Sequence, residues 1–268
     1  MIVSGETRLS EIRSSSDICL VFPNGISFFQ PYLEYYVKQI LEVGGEAYVS
    51  TTSDGTISGL FIYDDYEKTG TMFTRSREAF DCFYELKPFG LLFAEMRTEH
   101  ECEIYDIYTI DLENVMIDHS FRHEITIADE GQIDEIRRFM TLTHPGVNRY
   151  WVGVALKDGD KCFIVRLGSE IAGLGWLSLV KGVGRLHSLF VKPQFRRTGI
   201  GQDILHARLF WLKSKHAHSA FSEISRENTA SSRIAVKGGM RVYGQIFQYF
   251  KGPRYRDPAE RLTHVSTF

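Results

Sequence analysis

Laid over itself at a shift of 114 residues, the second half of this chain meets the first without a gap. Pro31 falls on Pro145, Tyr36 on Tyr150, Gly45 on Gly159, Ile57 on Ile171, Gly59 on Gly173, Leu60 on Leu174 and Gly70 on Gly184. The coincidences gather at glycines and turns, where backbone geometry restricts the residue, so AYVSTTSDGTISGLFIYDDYEKTGTMFT lies over KCFIVRLGSEIAGLGWLSLVKGVGRLHS, hairpin over hairpin. The pattern predicts a duplication. With 268 residues to divide, two domains are expected, at 1–120 and 121–268, each large enough to bury its own core.

The second half parses readily. HEITIA, at 123–128, alternates like a strand, Asp129 can cap the helical pattern DEGQIDEIRRFM, and HPGVNRY reads as a loop. KCFIVRL (161–167) and EIAGLGWLSLV (170–180) are strands joined at Gly168 and Ser169, and RLHSLFV (185–191) is a third. GQDILHARLFWLKSKH is an amphipathic helix with Leu205, Leu209 and Leu212 in one stripe and Arg208 and Lys213 away from it. A strand SAFSEIS, a short helix NTASSRIAVKGG and closing strands in MRVYGQIFQYF complete an α/β layer around one mixed sheet.

Between the third strand and the long helix stands FRRTGIGQ, residues 195–202. Two glycines at a strand-to-helix junction admit close approach of another molecule, and the helix's first amides point outward unpaired. With the positive end of the helix dipole and the side chains of Arg196 and Arg197, they make an anion site suited to phosphate. A glycine turn with solvated arginines is the plainer reading. Shifted back by 114, Arg196–Gly201 lands on CFYELK at 82–87, which has neither glycine nor arginine. The first half therefore cannot hold an anion in the same way.

RRTGIG at 196–201 resembles the (Q/R)xxGx(G/A) signature of the GNAT superfamily of N-acetyltransferases, and LFVKPQF before it is similar to that family's fourth strand. Downstream, NTASSRIAVKGGM is similar to the family's NxxSxxLYxKxGF segment, with Asn228, Ser231, Ile234, Lys237, Gly239 and Met240 in register. The resemblance covers residues 122–251. It implies tandem GNAT-like domains of α/β (α+β) class, with mixed, mostly antiparallel central sheets flanked by helices, the first domain diverged and without the phosphate loop.

The resemblance further implies an acetyl-coenzyme A-dependent N-acetyltransferase. Arg196, Arg197, Thr198, Gly199, Ile200, Gly201 and Gln202 would hold the pyrophosphate, and Leu189, Phe190 and Val191 would lie along the pantetheine arm where the fourth and fifth strands part. Asn228 and Ser231 would contact pantetheine, although Asn228 also suits a helix cap. An amine would attack the thioester directly, with the N–H of Phe190 or Val191 facing the carbonyl oxygen. Where many members carry tyrosine this chain has Ala235, leaving Tyr243 or water as the acid, and some members carry a glutamate where Arg185 stands. His187 and then Glu223 are the candidate bases, His187 alternatively lining or packing the pocket. Tyr150 and Trp151, on the aromatic segment before the hairpin, are candidates for the acceptor pocket, with packing in the core as the alternative.

A net charge of −3 with mixed signs argues against nucleic acid or an anionic membrane as partner. Cys19, Cys82, Cys102 and Cys162 lie far apart without metal-ligand spacing, so no metal is expected. No apolar run approaches the roughly 20 residues of a membrane span, nor does the N-terminus have a signal-like core, which places the protein in the cytoplasm. The expected partner is a small-molecule amine, and the expected state a monomer or homodimer. A non-catalytic acyl-coenzyme A-binding module, or transfer of another acyl group, are the competing readings.

Overall fold

A computed structural model describes residues 2–4, 7–14, 30–42, 44–65, 68–117, 120–143 and 149–250. These fall into two compact units, one running to Tyr105 and resuming at Gln245, the other comprising Asp106–Gly244. The expected boundary at 120/121 lies inside the second unit. Strand order explains why: β7 (Cys102–Asp111) runs from the first unit into the second, and β13 (Arg241–Phe250) runs back.

The second unit holds β8 (Ile125–Ile127), α3 (Ile133–Thr143), α4 (Arg149–Lys157), β9 (Lys161–Leu167), β10 (Glu170–Val180), β11 (Val183–Val191), α5 (Ile200–Ser214), β12 (Ser219–Ser225) and α6 (Thr229–Lys237). Its strands stand in the order β7-β12-β11-β10-β9-β8. Gly168, at φ 63°, turns β9 into β10, pairing Glu170 with Leu167. A capping box on Asp129 opens a 3-10 turn that leads into α3. Helix α4 occupies part of what the sequence reads as loop; the Pro and Gly at 145–146 carried that signal and lie outside the described residues.

Alternation along β10 and β11 splits the apolar side chains between two cores. Leu177 and Leu186 pack beneath α5 against Ile204, Leu205, Leu209 and Leu212. On the other face Leu174 and Trp176 pack with Ile136, Phe139 and Met140 of α3 and Val152 and Ala155 of α4. Helix α5 sits close because Gly173, Gly175 and Gly184 lie under it; a Cβ on Gly175 would come within 2.7 Å of Ile204. Arg208 is a correction to the expected stripe: it is only 2% exposed and turns inward over Gly175.

The first unit carries β1 (Ile2–Ser4), β2 (Thr7–Ile12), α1 (Gln30–Glu42), β3 (Glu46–Thr51), β4 (Ile57–Asp64), β5 (Thr69–Thr74), α2 (Arg77–Leu86) and β6 (Leu91–Ala94). Its strand order is β1-β2-β3-β4-β5-β6-β13, and Phe247–Phe250 pair with Leu91–Ala94. At a shift of 114, β3, β4 and β5 begin within one residue of β9, β10 and β11. The register then breaks. β5 reaches α2 through Arg75 and Ser76 alone, whereas Lys192–Gly199 separate β11 from α5. CFYELK therefore runs along α2, and the counterpart of the glycine loop is the two-residue link, with Ser76 Oγ accepting from the Ala79 N–H at 3.2 Å.

Leu209 is fully buried between α5 and the sheet. Leu209→Ala is expected to cost about 2–5 kcal/mol, read as a lowered urea midpoint with an unchanged slope.

Candidate active site

Strands β11 and β12 pair in parallel only at Val183–Arg185 with Ser219–Phe221. Beyond that, β11 continues to Val191 and β12 to Ser225 with no further β11–β12 pair, so the sheet forks. In the first unit β5 and β6 behave differently, since all four residues of β6 pair with β5. The Arg185 Nε donates to both Glu223 carboxylate oxygens, at 3.0 and 3.3 Å, at the apex of the fork, with both side chains largely buried.

At the open end β11 runs through a 3-10 turn at Pro193–Phe195 into α5. Arg196 Nε donates to the Val191 carbonyl at 3.2 Å, and Thr198 Oγ1 to that of Phe195 at 2.7 Å, folding the loop back on the strand. Gly199, left-handed at φ 99°, caps α5 without a side chain, so the first-turn amides receive no side-chain acceptor from it. Arg122, which the sequence reading passed over, lies across this glycine: a Cβ there would meet its Nη1 at 2.8 Å. Asp203 in the first turn holds Arg122 in place by accepting from the N–H groups of Arg122 and His123 at 3.0 and 3.2 Å and from His123 Nδ1 at 2.8 Å. Three arginines thus gather at the positive end of α5. Gly201 has a second reason to be glycine, because a Cβ would meet Ile234 of α6 at 2.8 Å. Gln202 bonds to His206 at 2.9 Å.

Midway along the free part of β11, Leu174 pairs with Phe190 and Trp176 with His187, so Ser188 and Leu189 face the single residue Gly175. This is a β-bulge, with Ser188 at φ 48°. Arg208 Nη1 donates to the carbonyls of Trp176 and His187 at 2.9 and 3.2 Å and so holds the bulge from within. Burial pushes the Arg208 guanidinium pKa down, to about 9. His187 stacks on Trp176 and places Nε2 3.3 Å from Ser178 Oγ, which bonds Asp160 Oδ2 at 2.9 Å. Burial first, then the cations Arg185 and Arg208, lower the His187 pKa well below its ordinary value.

The structure brings His187 and Glu223 to the fork, the first enclosed and the second ion-paired to Arg185. Leu189, Phe190 and Val191 are half-buried along the free prong. Asn228 caps α6, its Oδ1 accepting from the Ser231 N–H at 3.1 Å, which is the capping alternative. Tyr243 stands near the start of β13, which β7 and β12 separate from β11, and is 69% exposed. Tyr150 and Trp151 lie on α4, but their side chains are outside the described residues. Asp160, Ser178 and Arg122 were missed, since each gains its neighbours only through the fold, and so was Ser188, whose place is set by the bulge.

Residues 126–239 match the profile of the acetyltransferase (GNAT) family. An uncharacterized N-acetyltransferase of Archaeoglobus fulgidus is 25% identical over 136 residues, covering 44% of this chain and 92% of the relative. Among solved structures, a GCN5-related N-acetyltransferase from Sphaerobacter thermophilus superposes with a TM-score of 0.62 at 11% identity, over 94% of this chain and 98% of that one. A tandem GNAT protein from the clavulanic acid biosynthesis pathway gives 0.57 at 11% identity, over 93% and 100%. These similarities show a GNAT-type mixed α/β fold with a largely antiparallel sheet flanked by helices, and a tandem GNAT protein is among the matches.

A histidine held neutral when folded takes up its proton more readily once unfolded, so it lowers stability as pH falls below the ordinary imidazole value of about 6.5, by up to about 1.4 kcal/mol per pH unit. Urea midpoints compared between about pH 7.5 and about pH 5.5 are expected to fall less in His187→Gln than in the wild type.

Proposed function

We propose, from the match of residues 126–239 to the acetyltransferase (GNAT) family, that this protein transfers an acetyl group from acetyl-coenzyme A to the amine of a small molecule. The observation that carries the reading is the fork: β11 leaves β12 after Arg185 and ends in a loop with a left-handed glycine, three arginines and uncapped helix amides. A pyrophosphate needs closely spaced donors without intervening side chains, which Gly199 permits. A pantetheine arm needs main-chain partners, and an unzipped strand carries them.

The chain's own groups then have defined tasks. The loop and α5 amides hold the phosphates, the Leu189–Val191 main chain aligns the arm, and Arg208 keeps the bulge in shape so that the prong's N–H groups face one place. Acetyl-coenzyme A supplies the thioester that the amine attacks. The acceptor enters from the side of α3 and α4, where Trp176, His187 and the Arg185–Glu223 pair stand. The first unit is a diverged copy whose β5 and β6 stay zipped. No described helix is long and apolar enough to cross a membrane, and the protein acts in the cytoplasm as a monomer or homodimer, without a metal.

Calorimetry with coenzyme A and acetyl-coenzyme A, followed by an amine panel read by free thiol, tests the reading. Binding of both and thiol release with at least one amine are expected; binding without turnover on any acceptor supports a binding module instead. Gly199→Asp puts a side chain against Arg122 and a negative charge into the cradle, and is expected to abolish coenzyme A binding while far-ultraviolet circular dichroism is retained. Unchanged affinity would contradict the assignment.

A further inference from the structure

On the sheet of the first unit, alternation puts Met72, Leu92, Phe247 and Tyr249 on the α2 side, in one core. Their neighbours Thr71, Phe93 and Gln248 therefore face the other way, toward the side on which Tyr36 of α1 stacks on Phe73. Thr71 pairs with Phe93, and Phe93 with Gln248, so the three stand in one row across β5, β6 and β13. Thr69 stands two residues before Thr71 on the same face. All four belong to the first unit.

Gln248 is 1% exposed, yet among the described residues neither its Nε2 nor its Oε1 has a hydrogen-bond partner. Because both ends are unmet, turning the amide over changes nothing. The Thr69 and Thr71 hydroxyls are enclosed and, among the described residues, unmet as well. Burying such groups unpaired is costly, and a leucine at 248 would avoid the cost. Three neighbouring side chains left in this condition call for a partner from outside the fold. Thr71 and Phe93 are only half-buried, so the row is reached from solvent at its middle and closed at Gln248. The Phe93 ring is held edge to face by Tyr105, at 5.6 Å and 79°.

The shift of 114 puts Thr71 at the place of Arg185 and Ile62 at that of Trp176, and Thr71 pairs with Phe93 as Arg185 pairs with Phe221. The row thus lies on the face that carries the Arg185–Glu223 pair in the second unit, with a hydroxyl in place of the guanidinium. Glu95, at the place of Glu223, has interactions of its own. What remains to be met is uncharged: an amide that donates and accepts, and two hydroxyls that can do either. From Thr71 to Gln248 is two strand spacings, about 9.5 Å, the reach of a single substituted ring lying along Phe93.

We propose that the first unit binds a small, planar, uncharged molecule over β5, β6 and β13, one whose edge carries a donor beside an acceptor, as a primary carboxamide or a lactam does. Gln248 takes that edge with both of its polar atoms, the threonine hydroxyls bond further polar groups, and Phe93 lies against the ring. This site is separate from the transfer reaction proposed for the second unit.

The test uses the full chain and two probes, nicotinamide and uracil, with methyl nicotinate as a control that keeps the ring but lacks the donor. Titration of either probe should move the Gln248 side-chain amide signals in nitrogen-15 spectra and saturate. Methyl nicotinate should bind at least about tenfold more weakly, the loss expected of one hydrogen bond to a buried group. Gln248→Leu should raise the urea midpoint, since an unmet amide leaves the interior, and should abolish probe binding, followed at the backbone amides of Thr71 and Phe93. A lowered midpoint would mean that the amide is already bonded within the fold, and overturns the proposal. Probes that leave the Gln248 signals unmoved up to their solubility limit also overturn it, water then meeting these groups, as does probe binding that Gln248→Leu leaves intact. None of these measurements involves coenzyme A, so their outcome stands apart from that of the acetyl-transfer reading.

Discussion

The β11–β12 ladder ends at Arg185 and Phe221, and the rest of the site depends on that ending. A parallel pair that stops while both strands continue leaves main-chain donors and acceptors that need partners. A fork of this kind persists only if its apex and prongs are held from elsewhere. The Arg185–Glu223 pair closes the apex with a charge-assisted bond in a largely buried place. Pairing with β10 on one edge, and Arg208 within the bulge, fix the β11 prong. The opening is thus a built feature of the sheet, and a narrow ligand with hydrogen-bonding groups along its length can replace the missing strand.

The first unit shows what the same arrangement does when it is not held open. Its hairpin strands begin in register with those of the second unit, yet β6 stays paired along its length and the link to α2 is two residues. Ser76 caps that helix with its own hydroxyl, filling the place where a ligand would otherwise satisfy the amides. At the equivalent turn of the second unit, eight residues and a left-handed glycine leave the amides uncapped. Loop length and cap chemistry, more than the strands, distinguish the two halves.

Much of this was legible in the sequence where local rules decide. Strand alternation located β9 and β10 to the residue, and Gly168 and Asp129 act as their turn and cap signals imply. Local rules failed where a polar residue's partner is distant. Arg208 reads as a solvated helix position, because nothing nearby in sequence announces two carbonyls released by a bulge on neighbouring strands. Asp160 belongs to a turn and Ser178 to a strand, and only the β9–β10 pairing brings them together. Arg122 reaches Gly199 because Asp203 draws its backbone in. The fixed shift of 114 also misplaced the loop's counterpart, since an ungapped comparison cannot see an insertion between strand and helix.

Arg208 joins these elements. A buried guanidinium bonded to two carbonyls and, among the described residues, to no carboxylate is an expensive choice, and its Nε has no acceptor there. A leucine would fill the space between α5 and Gly175 without that penalty, but it would leave the carbonyls of Trp176 and His187 without their donor at a point where the ladder cannot supply one. The charge has a second effect, because it opposes a proton on the adjacent imidazole. One side chain therefore holds the bulge in β11 and helps keep the His187 ring neutral, so the geometry of the prong and the protonation state beside it are set together.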